Sequence, residues 1–168
     1  FADPSHYLEK RAQDYTYKKT IRKSYYITMR DSEQIAVDVY LPKKLEEGKQ
    51  LPTILYQTRY VRSVELKWLF KPLRKYVPTN VPIEEVYLLN SYGYAVVIVD
   101  TRGSGASTGS RDMEFSPDEV KDGAEVCDWI IEQPWSNGKI GASGVSYVAT
   151  TAMALLANQH PAVKAIFP

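Results

Sequence analysis

This sequence predicts an α/β fold, with a mostly parallel sheet and an antiparallel hairpin at its N-terminal end. Three observations lead there. Two early stretches alternate β-branched or aromatic residues with polar ones, the pattern of a β-hairpin. Later apolar runs lose that alternation and take turns with helical segments, as parallel strands and their crossovers do. Near the C-terminal end an apolar run breaks at Gly144-Val145-Ser146 straight into an alanine-rich helical pattern.

In order, residues 1–20 are polar and tyrosine-rich without periodicity and read as an arm over the surface. Ile21 to Met29 and Ile35 to Leu41 form the hairpin, with Arg30-Asp31-Ser32-Glu33 as its turn. After a charged loop, Leu51 to Gln57 is a third, more continuously apolar strand. Thr58 to Pro82 mixes Trp68, Leu69, Phe70 and Leu73 with cations and three prolines, and reads as loop and short helix. Trp68 and Phe70 fit core packing at least as well as the wall of an apolar pocket. Ile83 to Asn90 is helical by pattern, and Tyr94 to Asp100 is apolar enough for a central parallel strand. Ser116-Pro117 supplies a cap and a start signal for a helix over Asp118–Glu132, with Val120, Ala124, Cys127 and Ile131 on its inner stripe. Pro134, Asn137 and Gly138 form the return turn before the last strand–helix–strand unit, which ends in the apolar run Ala162–Phe167.

At 168 residues and a net charge of +1 the chain suits one domain, and nothing in it favours nucleic acid or an acidic membrane surface as partner. No run approaches the length of a membrane-spanning helix. The single Cys127 rules out an internal disulfide and a cysteine zinc cluster, and its neighbours at helical spacing mark a buried structural thiol. No cofactor or metal is expected. Cytoplasm and export both stay open as compartments.

The chemistry centres on Lys139 to Thr150. A strand that turns sharply into a helix leaves the residue at the turn exposed on a strained backbone, with small neighbours so that strand and helix can approach. That is nucleophile-elbow logic, and it assigns Ser146 as nucleophile and the backbone N–H of Tyr147 as an oxyanion donor. The plainer reading is a small serine capping the following helix. The simplest G-x-S-x-G pattern would also need glycine at 148, where Val148 stands. Ser143 lies inside the apolar run and reads as structural.

A competing motif, Gly103 to Gly109, follows a strand and invites a dinucleotide-binding reading. Its last glycine comes four residues after the second where the fingerprint wants three, and the next helix starts several residues late. A loop shaped to pass near the elbow accounts for it better.

Four stretches together resemble the CocE/NonD family of α/β-hydrolases, to which cocaine esterase and bacterial Xaa-Pro dipeptidyl-peptidases belong. They are Met29-Arg30-Asp31 with Ile35 to Tyr40, Gln57-Thr58-Arg59-Tyr60, Gly93 through Gly105, and Gly144-Val145-Ser146-Tyr147. The family's elbow reads Gly-x-Ser-Tyr-x-Gly, which admits Val148 and leaves Ala149 in place of the last glycine. By this resemblance the hydroxyl of Tyr60 is the second oxyanion donor, whereas the residues alone would make it one of thirteen tyrosines packed at a loop base. The resemblance implies hydrolysis of an acyl ester or Xaa-Pro-type amide, with a small-molecule ester or a peptide as substrate.

Serine acyl transfer also needs a base and an acid to orient it, and in this fold they follow the serine in the chain. Residues 147–168 hold one histidine, His160, beside Pro161 at an expected helix-to-strand turn, and no acid; His6 lies in the arm. The expectation is therefore an incomplete α/β-hydrolase fold. Residues 21–168 would form the N-terminal portion of a catalytic domain, ending after the strand that follows the nucleophile helix, with the remainder of the polypeptide as partner. This chain by itself would be inactive. An open apolar edge at Ala162–Phe167 would also favour homo-oligomers. The alternative is a binding or assembly domain that keeps the hydrolase scaffold.

Overall fold

The structure, a computed structural model, describes residues 17–62 and 81–168. Most of the arm, and the stretch with Trp68 and Phe70, lie outside the described residues. The elements are β1 (Thr20–Thr28), β2 (Gln34–Pro42), β3 (Leu51–Thr58), α1 (Ile83–Ser91), β4 (Ala95–Asp100), α2 (Pro117–Ile131), β5 (Ser136–Ser143), α3 (Tyr147–Ala154) with a 3-10 turn (Leu155–Asn158), and β6 (Val163–Phe167). They build a six-stranded sheet in the order β1-β2-β4-β3-β5-β6. β1, β2 and β4 pair antiparallel, while β4, β3, β5 and β6 run parallel. This is the expected mixed sheet of a hydrolase's N-terminal part.

Side-chain alternation splits the core into two layers. Ala95, Val97 and Val99 of β4 face Val126, Cys127 and Ile130 of α2 together with Ala152 and Leu155, whereas Val96 and Ile98 face Val86 of α1 and Val148. With both faces covered, β4 is buried along its whole length, as its unbroken apolar run requires. Cys127 is buried and unbonded, and burial pushes its thiol up to about 12.

Two local expectations need correction. β5 begins at Ser136, so Asn137 and Gly138 belong to the strand rather than to the turn before it. The inner face of α2 is also turned from the expected stripe: Glu119, Asp122, Gly123, Val126, Cys127 and Ile130 are buried, while Ile131 is exposed. Apolar periodicity misplaces the face because two of its positions are carboxylates, each buried against a partner from another element. The N-cap is as expected, with the Ser116 hydroxyl accepting from the Glu119 N–H at 3.2 Å.

Asp122 sits in an ionic clamp. Arg102, just after β4, donates through Nε and Nη2 to its two oxygens at 2.8 and 2.7 Å, and through Nη1 to Asp31 at 2.6 Å. Arg30, in the β1–β2 turn, reaches Asp122 at 2.8 Å, Glu125 at 2.7 Å and Asp118 at 2.7 Å. Hairpin turn, β4 and α2 are thereby joined at one end of the sheet. Arg102 is nearly sealed from water, so each buried charge depends on the other.

Hydrogen bonds from Arg102 hold the Asp31 carboxyl below its ordinary range, and those from Arg30 do the same for Asp118. Depressed folded values mean that this stabilisation is present above the unfolded carboxylate range and lost as pH falls through the lower folded values. Unfolding in urea should therefore show stability declining between about pH 5 and 3. Arg102→Ala should lose about 3 kcal/mol at neutral pH, by leaving Asp122 short of its counter-charge, and should flatten the acid decline.

Candidate active site

Ser146 lies where β5 gives way to α3, at the end of the parallel strands. Its backbone has φ 59° and ψ −125°, a region L-residues rarely occupy and that costs on the order of 1–3 kcal/mol. The residue is solvent-exposed, and its hydroxyl makes no capping hydrogen bond to α3. Capping is thus not what the serine does. Gly144 explains how the turn closes: a Cβ there would lie 2.6 Å from the Val148 Cβ and 2.7 Å from its carbonyl carbon. Only glycine fits against this helix, and Val148 fills the space that the simpler motif gives to a second glycine.

Tyr147 is buried directly beneath the turn. Its hydroxyl donates to Glu119 in a short hydrogen bond, accepts from Arg111 Nη1 at 2.7 Å and lies 3.4 Å from the Thr101 hydroxyl. Phe115 stacks on its ring at 4.9 Å. Burial first, and the Glu119 hydrogen bond second, push the phenol up to about 12. Glu119 also accepts from the Phe115 N–H at 3.0 Å, so one carboxylate in the first turn of α2 holds both the start of that helix and the phenol of Tyr147.

Tyr60 follows β3, the neighbour of β5 in the sheet. Its ring packs edge-on against Tyr147 with centroids 6.0 Å apart, and it remains 43 % exposed. Of the three residues the sequence singles out, the structure thus sets the Tyr60 ring against Tyr147, the residue that follows Ser146. Two neighbours went unnoticed in the sequence. Arg59 places its guanidinium 4.8 Å above the Tyr60 ring and 5.0 Å above the Tyr147 ring, and it pairs with Glu114. Arg62 turns back to pair with Asp100 and, at 3.1 Å, with Asp38. The dipeptide Thr58-Arg59 was the available signal, read only as part of a motif.

The glycine loop partly meets its expectation. Thr101 at its base approaches the Tyr147 hydroxyl, but its body turns to β2, where Ser107 accepts from the Ala36 N–H at 2.9 Å. Asp100 accepts from the Ala106 N–H at 3.0 Å, and a Cβ at Gly105 would collide with the same carboxylate. An acid thus occupies the loop's interior where a phosphate would have to sit.

His160 stands before β6, at the opposite end of the sheet from Ser146. Its Nδ1 accepts from the Ala162 N–H at 3.2 Å, which leaves Nε2 to donate to Asp128 at 3.0 Å. It closes a turn, as expected. His6 lies outside the described residues. A cleft of about 470 Å³ lined by Tyr17, Lys18, Lys19, Lys43, Lys44 and Glu46 is likewise remote from the elbow, so open volume does not mark the site.

Known proteins resemble this chain over most of its length. Residues 31–168 match the family described as X-Pro dipeptidyl-peptidase (S15 family). A Mycobacterium bovis protein described as a serine esterase is 49 % identical over 152 residues, covering 86 % of this chain and 24 % of that protein. Cocaine esterase of a Rhodococcus species is 35 % identical over 144 residues, covering 84 % of this chain and 22 % of the esterase. Among solved structures, a CocE/NonD family hydrolase from Staphylococcus aureus superposes with a TM-score of 0.73 at 28 % identity, over 89 % of this chain and 27 % of that one. The chain belongs to this S15 family of serine hydrolases and spans about a quarter of the length of the curated relatives it matches.

The raised phenol of Tyr147 gives a pH signature. Its folded value of about 12 exceeds the ordinary 10.0, so the stabilisation is complete below pH 10 and lost as pH rises through 12. Alkaline denaturation followed by circular dichroism should show that loss. Tyr147→Phe should reduce it, leaving the part due to Tyr56, which is raised by burial and by Glu85. At neutral pH the same variant should lose about 1–2 kcal/mol, the range for removing one partner of a buried hydrogen bond.

Proposed function

We propose, with membership of that family as the premise, that this chain carries the nucleophile and oxyanion hole of a serine hydrolase that works through an acyl-enzyme. One observation carries the reading: Ser146 is exposed on a positive-φ backbone with its hydroxyl unused by the helix it precedes. In this reading the Ser146 Oγ attacks the acyl carbon of an ester or a Xaa-Pro-type amide. The carbonyl oxygen gains negative charge, held by the Tyr147 N–H and the Tyr60 hydroxyl, donors whose positions are set before substrate arrives. Collapse expels the alcohol or amine and leaves an acyl-serine, which water then hydrolyses.

The proton from Oγ needs a base, and the base an orienting carboxylate. Residues 21–168 would then form the N-terminal portion of the catalytic domain. We assign base and acid to sequence outside these 168 residues, because the matched relatives are about four times as long. Esters are the favoured substrates, since the serine esterase and cocaine esterase are more similar to this chain than a relative described as an Xaa-Pro dipeptidyl-peptidase, at 26 % identity. A second reading, a binding domain that keeps the scaffold, draws on the placement of His160, the one histidine among the described residues, away from the elbow.

In a polypeptide that carries this chain with its base and acid, a fluorophosphonate probe should label Ser146, and Ser146→Ala should abolish labelling and turnover. Label retained elsewhere in that variant would remove the assignment. Tyr60→Phe should lower kcat by about 10²–10³, the range for losing one oxyanion donor.

A further inference from the structure

Arg59 stands out among the residues around the elbow because it touches both aromatic rings of the site. Its Nη2 donates to the Tyr60 hydroxyl oxygen at 3.1 Å. The same guanidinium lies over the faces of Tyr60 and Tyr147 and pairs through Nη1 with Glu114. A guanidinium has five donors and no acceptor, whereas a phenol has one proton and can both donate and accept. Tyr60 therefore accepts from Arg59 and cannot return its proton to it. The single O–H is left to point away from the arginine, and the charge-assisted bond polarises it.

From this we infer that Arg59 is a positioning residue for the oxyanion hole: by donating to the Tyr60 oxygen and bridging the two rings, it aims and strengthens the Tyr60 hydroxyl toward the developing oxyanion. The inference rests on the reading of Tyr60 as an oxyanion donor and adds what sets that donor's direction. Lysine would not do the same work, because one ammonium lacks the planar fork that meets Tyr60, Glu114 and both ring faces together. Glu114 is half-exposed, and its place in this arrangement is to keep the guanidinium from swinging into solvent.

The test is a kinetic double-mutant cycle on the polypeptide that includes base and acid, with an activated ester as substrate. Arg59→Met should lower kcat about tenfold or more with KM changed less than about twofold, since the lost interaction serves the transition state. Arg59→Lys should recover little of that loss. In the Tyr60→Phe background, Arg59→Met should have almost no further effect, because the hydroxyl it acts through is gone. Losses that multiply instead would show Arg59 acting through packing alone and would overturn the inference. If Arg59→Met does not fold, Glu114→Gln replaces it, with a smaller drop in kcat that must also vanish in Tyr60→Phe. Unchanged kcat in Tyr60→Phe itself would remove Tyr60 as donor and the inference with it, while leaving Ser146 as nucleophile. Turnover surviving in Ser146→Ala would sink the hydrolase reading first.

Discussion

Holding the Ser146 backbone at φ 59° against its own preference is the constraint on which the sheet's C-terminal end depends. A dihedral that costs on the order of 1–3 kcal/mol persists only where its surroundings over-determine it. On one side, β5 is locked between β3 and β6. On the other, α3 is pinned by Val148, Ala152 and Leu155 in the core and by the Tyr147 phenol on Glu119 and Arg111. The turn between them has only the space that Gly144 leaves open. Relaxing φ at Ser146 would require tearing out a buried tyrosine or shifting a central strand.

The loop after β3 is held in a similar way. Val61 has φ 79°, an unfavourable value for a β-branched residue, and it separates Tyr60, which faces the elbow, from Arg62, which faces the sheet. The Arg62 N–H donates to Asp100 at 2.7 Å, and its guanidinium pairs with Asp100 and Asp38. Asp100 also takes the Ala106 N–H of the glycine loop. One buried carboxylate at the end of β4 thus organises the loops after both β3 and β4.

Sequence periodicity read the frame well because strands and helices here are specified by apolar spacing, and the elbow was legible because glycine and serine have few other reasons to meet at a strand end. The motifs around it were legible only as a set. Met29-Arg30-Asp31 and Asp100-Thr101-Arg102 lie seventy residues apart in sequence, yet they meet in one clamp, with Arg102 on Asp31 and both arginines on Asp122. What stayed hidden were the polar groups whose partners come from other elements. Glu119 and Asp122 look like the solvated side of a helix, since periodicity scores a carboxylate as outward. Tyr147 beside Glu119, and Arg102 and Arg30 beside Asp122, make burial tolerable. Arg59 was hidden for the same reason: its role depends on a ring from a helix that begins far along the chain.

Strand order gives an independent reason for a site at this place. In an open α/β sheet a crevice forms outside the carboxyl ends of two neighbouring parallel strands whose connections leave in opposite directions. β3 and β5 are neighbours; the chain leaves β3 toward β4 on one side and leaves β5 toward β6 on the other. No other adjacent parallel pair among the described strands has this property, because β4 abuts antiparallel β2 on its far side and β6 lies beyond β5. Tyr60 follows the first of the two strands and Ser146 the second. Ser146 and Tyr60 lie on loops that leave this one pair of strands because of strand order, and the Tyr60 ring meets that of Tyr147 there.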